Sequence, residues 1–232
     1  MAAALAGVLA CLGLTGASWA RADAASLIQQ GRYVEAYDAV HAVDTAEAQV
    51  QAAVAASDQA VYVSHDDAEA LAWLQRARSA AERAIALDPG DASAYVQLAR
   101  ARGEIGRRGS ALEQMNTPAA LKDLFDRALE LEPDNADALV GLAMWNLELV
   151  RRGVGWLYGA QRERVVPLLE RGVAAAPERV NLRVEYATAL IALEMPQAAE
   201  EQLAIALALP ATSAADRYEQ QRARELRASA GG

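Results

Sequence analysis

The chain has 232 residues, 53% of them hydrophobic but only 5% aromatic, and a formal net charge of −9. That length can bury a substantial core, and the abundance of alanine favours closely packed helices. The 22 basic residues (Lys122 the single lysine among them) form no block, so phosphate neutralisation is weak: nucleic acid is excluded as a partner, and the chain is equally poor at anionic membrane surfaces.

Residues 1–22 stand apart. "AAALAGVLACLGLTGASWA" is uncharged and apolar, and "ARA" at 20–22 fits small-x-small cleavage, so the stretch is expected to be a signal peptide cut after Ala22. No Lys or Arg precedes the apolar run. A start assigned too late, an uncleaved N-terminal anchor and lipidation at Cys11 are the alternatives, although the apolar run continues past the cysteine. Cleavage would remove the only cysteine, and with it disulfide and thiolate chemistry. Export implies a periplasmic or cell-envelope location, with membrane contact only through an uncleaved signal.

Residues 23–69 are expected to form a loose helical repeat. "GRYVEAYDAV" at 31–40 looks like a second helix, and 44–63 like a first helix capped through Asp44 and Glu47. A helix over 72–89 ends at Pro89. From there a long period is visible: "ALDPGDASAYVQLA" at 86–99 matches "ELEPDNADALVGLA" at 130–143 and, more weakly, "AAAPERVNLRVEYA" at 174–187. Pro89, Pro133 and Pro177 are 44 residues apart, as are the two "RRG" phrases at 107–109 and 151–153. Each proline stops a helix, and acidic residues beyond it (Asp91, Asp134) favour the next N-terminus. Small residues such as Ala99, Ala128, Ala143 and Gly172 mark close helix approaches, and large apolar residues recur at spacings of three and four. "RRG" is expected to lengthen the first helix of its unit by about two turns, with Gly109 and Gly153 in left-handed C-terminal positions. Thr117 and Pro118 then open the second helix of the first such unit. Residues 213–229 form a charged terminal helix capped at Ser213, with Asp216 three residues on.

These units resemble the tetratricopeptide repeat, a helix–turn–helix of 34 residues. Tyr95, Leu98 and Ala99, and Leu139, Leu142 and Ala143, match that family's first helix; Tyr186 and Ala187 match in the third unit, where Arg183 departs from the pattern. Phe125 and Ala128, Leu169 and Gly172, and Ala199, Leu203 and Ala206 match the second helix, with Pro133, Pro177 and Pro210 closing it. Two units exceed the family length by about ten residues, at roughly 103–118 and 147–161, against the 34 of the family. A long-insert version of this repeat also resembles the T component of tripartite ATP-independent periplasmic transporters and the helical-repeat region of microtubule-dynamics regulators. The resemblance implies an all-α superhelix of about ten helices, since a single helix pair cannot bury its own stripe. The expected organisation is a signal peptide over 1–22, a loose repeat over 23–69, a solenoid over 70–210, and a capping helix and tail over 211–232.

No catalytic or metal constellation can be assembled. His41 and His65 are isolated, "HDD" at 65–67 reads as a solvated helix start, and no Gly-rich phosphate loop or nucleophile elbow occurs. The chain therefore reads as a non-enzyme needing no cofactor. The densest constellation is Trp145, Arg151, Arg152, Trp156 and Tyr158 around the loop "GVGWLYGA". Two readings stay open. The aromatics fold back to plug the gap between lengthened helices, or they rim the concave face beside arginines that grip a carboxylate. The functional expectation is a scaffold that binds a protein or peptide on its concave face. The alternative is a transporter accessory or carrier, with a small apolar or carboxylate ligand in a closed pocket lined by Trp145, Leu147, Trp156 and Tyr158.

Overall fold

The computed structural model describes residues 23–108 and 111–230; the leader expected over 1–22 and the expected left-handed Gly109 lie outside these. The chain is all-helical. Helix α1 (23–30) and α2 (Tyr33–Val40) lead into α3 (Ala46–Asp58), which runs on as a π-turn over Gln59–Val63. Then follow α4 (Asp67–Leu87), α5 (Ala92–Arg108), α6 (Ala111–Leu131), α7 (Ala136–Arg151), the single turn α8 (Gly155–Tyr158), α9 (Val165–Ala175), α10 (Val180–Ala192), α11 (Pro196–Ala208) and α12 (Ala214–Ala230). Four helices end two residues before a proline: α4 before Pro89, α6 before Pro133, α9 before Pro177 and α11 before Pro210. The residue preceding a proline is pushed out of the helical region, which makes each of these a hard stop.

Consecutive helices pair as α3 with α4, α5 with α6, α7 with α9 and α10 with α11. The first members also touch in series, α3 to α5 to α7 to α10 to α12, and form an inner row backed by the second members. This is the tetratricopeptide-type solenoid. Its repeat residues lie where the spacing predicts: Leu98, Ala99, Ala128, Leu139, Leu142, Ala143, Leu169, Ala187, Leu203 and Ala206 are all buried. Arg183, at the position where the pattern expects a large apolar residue, hydrogen-bonds Gln202 on α11 at 2.9 Å instead of packing.

The long units spend their extra residues in two ways. Helix α5 has 17 residues and α7 has 16, against 13 in α10, so the helices carrying "RRG" gain about one turn, not two. In the first long unit α6 starts at Ala111 and runs through Pro118, so the second helix opens well before the expected Thr117. In the second, α9 is short and the surplus becomes the α8 turn and a 3₁₀ turn over Arg162–Arg164. The cap of α3 also differs from expectation. Thr45 accepts the hydrogen bond from the Ala48 amide, while Asp44 pairs with Arg83 at 2.9 Å. An extended Thr at the N-cap presents its hydroxyl to the third amide, and the preceding Asp is then free to reach α4.

The row curls until its ends meet. Ser213 and Asp216 exchange two side-chain-to-backbone bonds of 3.0 and 2.9 Å, a capping box that starts α12. Ala214 lies so close to Gly31 that a Cβ there would sit 2.8 Å from it. Beyond it, the Tyr62 ring packs on Tyr218 at 4.8 Å and the Tyr62 hydroxyl donates to Glu219 at 3.3 Å. Burial raises the Glu219 carboxyl above its ordinary 4.5, aided by Glu185 and opposed by Arg222 and Tyr62. An acid whose folded value is raised binds its proton more tightly in the fold, so its burial cost is relieved as pH falls toward 4.5. Glu219→Gln, which mimics the protonated acid, should raise the melting temperature near pH 7 and leave a smaller gain on acidification to pH 5 than wild type shows. Thermal melts of both proteins across that range check it.

Candidate functional site

The inner row carries a circuit of ion pairs. Asp58 at the end of α3 binds Arg100 of α5 at 2.7 Å, and Asp137 at the start of α7 binds Arg179, which precedes α10, at 2.6 Å. Glu185 of α10 binds Arg222 of α12 at 2.6 Å, and Arg222 also meets Glu219 at 3.3 Å. Through Tyr62 the circuit returns to the end of α3. Each pair ties neighbouring repeats together. Burial lifts the Asp58 carboxyl, and Arg100 opposes that rise. Asp58 in turn holds the Arg100 guanidinium more firmly protonated. The same burial pushes the Tyr33 hydroxyl up to about 12.

Beside this circuit, α5, α6 and α7 enclose a groove of about 230 Å³. Its floor is apolar, with Leu121, Phe125, Met144, Trp145 and Leu149 beside Gly103 and Gly141; its rim is charged, with Arg100, Glu104, Arg107, Glu148 and Arg152. The glycines create the space. The Phe125 ring lies directly on the backbone of Gly141, where any Cβ would collide with it. A Cβ at Gly103 would make only an ordinary 3.7 Å contact with Leu121. Arg107 and Arg108 both pair with Glu104.

The five residues singled out in the sequence do not form one cluster. Trp145 is buried at 6% exposure and its indole N–H donates to the Pro118 carbonyl at 2.8 Å, an acceptor inside α6. Arg152 is on the groove rim and is held by Glu148 at 2.6 Å; Arg151 points to solvent, 3.9 Å from the same carboxylate. Tyr158 packs against the main core, whereas Trp156 is 82% exposed. The expected plug is therefore divided: Tyr158 folds back and Trp156 does not. What closes the gap is Asn146, fully buried in an apolar helix face. Its amide donates to the Leu142 carbonyl and its Oδ1 accepts from the Gln161 N–H, both at 2.8 Å. Gly153 and Gly159 turn the chain on either side with φ of 71° each. An uncharged amide between Trp145 and Leu147 in "AMWNLELV" was the available signal for this clamp.

Gly103, Gly141, Glu104 and Met144 were not singled out from the sequence, and Arg107 was read only as part of a helix-lengthening "RRG", because a residue's place on the inner face depends on packing between repeats. The expected closed pocket differs too: Trp145 lines the groove, while Leu147, Trp156 and Tyr158 do not. His41 stacks on Tyr37 at 4.8 Å and His65 is exposed ahead of the Asp66 cap of α4. Among the described residues no group of three or more His, Cys, Asp or Glu could hold a metal ion.

Among solved structures the chain is similar to the thermophilic tetratricopeptide-repeat protein TTC0263 of Thermus thermophilus, with a TM-score of 0.66 and 16% identity over 90% of this chain and 98% of that one. The MamA protein aligns with a TM-score of 0.46 and 15% identity, covering 83% and 90% of the two chains. YrrB, described as a tetratricopeptide-repeat protein with an unusual peptide-binding site, aligns with a TM-score of 0.37 and 21% identity, covering 77% and 80%. No curated protein matches. The model of the family described as regulator of microtubule dynamics protein 1-3 matches residues 20–156, which is more than half of the chain and runs from before α1 to Trp156. The chain thus belongs to the regulator of microtubule dynamics protein 1-3 family, on a solenoid of tetratricopeptide type.

Proposed function

We propose that the chain is an exported, non-enzymatic scaffold of the periplasm or cell envelope, and that its inner face holds a segment of a partner protein. One observation carries this reading: an apolar groove with a charged rim, open to solvent, on the inner row between two lengthened units. Its volume of about 230 Å³ lies below the roughly 300–1,000 Å³ of small-molecule sites, and it suits one or two apolar side chains of a longer chain. The rim carries both signs of charge, which favours a peptide presenting both.

Gly103→Leu is the matched control, because the glycine borders the groove and its Cβ position is uncrowded. Peptides selected from a random display library on the wild type should lose binding at least about ten-fold on this variant, a difference of about 1.4 kcal/mol. Equal binding to both proteins would remove the groove from the reading. A second reading, a carrier of a small apolar carboxylate, draws on the three arginines at the rim. It predicts a discrete small-molecule adduct in native mass spectra of protein from its own cells, lost in Gly103→Leu. Export itself predicts a mature N-terminus at Asp23, read from the intact mass of the protein recovered from the envelope fraction.

A further inference from the structure

We infer that the α8 turn is a contact point for an anionic membrane surface, independent of the groove. Trp156 at 82% and Leu157 at 58% are the most exposed large hydrophobic side chains among the described residues, and they are adjacent. Their exposure is built in, because the turn beneath them is fixed at every step. The Gly153 amide donates to Val150, Leu157 to Val154 and Ala160 to Gly155, at 2.9–3.0 Å. The Gln161 amide is clamped by buried Asn146, and Tyr158 packs against the core. The turn presents Trp156 and Leu157 to solvent.

The charge around the turn decides the partner. Residues 148–164 hold four arginines (Arg151, Arg152, Arg162, Arg164) and two glutamates (Glu148, Glu163), an excess of positive charge in a chain of net −9. Glu148 pairs with Arg152 and more loosely with Arg151. Arg162 donates to the Leu193 carbonyl at 3.1 Å, and Arg164 is exposed. The four arginines flank the apolar tip on both sides in sequence. An adjacent Trp–Leu pair this exposed fits a deformable surface. Indole seats at the headgroup level of a bilayer, leucine reaches the acyl boundary, and guanidinium groups bind lipid phosphates. The acidity of the rest of the surface repels the same membrane, so the chain would touch it through this turn alone. No described helix is long and apolar enough to cross a membrane, and the contact proposed here is peripheral.

The test uses the mature chain from Asp23, in which Trp156 is the one exposed indole beside the buried Trp73 and Trp145. Vesicles of phosphatidylcholine with one-third phosphatidylglycerol, with or without brominated acyl chains, are added, and tryptophan emission is read. The expected result is a blue shift and quenching by brominated lipid, both lost in Trp156→Phe and both much weaker on pure phosphatidylcholine. Arg151→Gln with Arg164→Gln should lower the vesicle partition coefficient by about five-fold per arginine. Quenching that survives Trp156→Phe, or that is equal on neutral lipid, overturns the inference. So does an emission shift that needs an added envelope protein and no lipid, which would make the tip a protein-binding spot.

Discussion

Asp58→Ala should destabilise the fold by about 3–5 kcal/mol, because it strands a largely buried guanidinium without its counter-ion. The Asp58 side chain is 9% exposed and that of Arg100 30%, so the loss should fall toward the lower end of that range. At this chain length each 1 kcal/mol lowers the melting temperature by about 2–4 °C. The effect spreads because Arg100 lies within the influence of Tyr62 and Asp137 as well as Asp58, so the stranded charge disturbs two further rungs of the inner-row circuit. Replacing both partners with apolar residues of similar size, Asp58→Leu with Arg100→Met, should recover most of the loss, since it removes two desolvated charges together. Urea unfolding of the single and double variants measures this. An unchanged midpoint in Asp58→Ala would mean that the pair is solvated in solution.

The second large effect separates two tryptophans that stand eleven positions apart. Trp145→Ala should cost about 3–5 kcal/mol, through the cavity left among Pro118, Phe125 and Leu149 and the loss of the indole bond to α6. Trp145→Phe keeps most of the apolar volume and should cost about half as much, which isolates the lost hydrogen bond and ring. Trp156→Ala, by contrast, should stay within about 0.5 kcal/mol of wild type, as surface substitutions do. Denaturant melts of the three proteins give the comparison. A large loss in Trp156→Ala would show that the tip folds inward in solution and would restore the full plug.

Much of the fold was legible because it is written locally. The prolines at 89, 133, 177 and 210 forbid helix in the residue before them, and α4, α6, α9 and α11 all stop there. The small residues of the repeat lie buried where helices cross, since only small side chains allow that approach. What the pattern could not tell was where the surplus residues go. "RRG" has the same local chemistry in both long units, yet the first absorbs the surplus in a 21-residue α6 and the second spends it on α8. The partner helices decide this by packing. The groove was hidden for a related reason: Gly103 and Gly141 are ordinary helical glycines until Leu121 and Phe125 are set against them. The closing contact of Tyr62 with Tyr218 and Glu219 joins residues more than 150 positions apart, which no periodicity within one unit encodes.

If the inner face is the binding surface, a cross-linker placed there captures a partner that one on the outer surface does not. A photoreactive phenylalanine analogue is placed at Met144 on the groove floor and, in a second protein, at exposed Val34 on α2. Both proteins are expressed in the native cell and irradiated. The account predicts a discrete cross-linked protein adduct from position 144, absent from position 34 and lost when Gly103→Leu fills the groove. Adducts from position 34 with none from position 144 would contradict it and move the function to the outer surface.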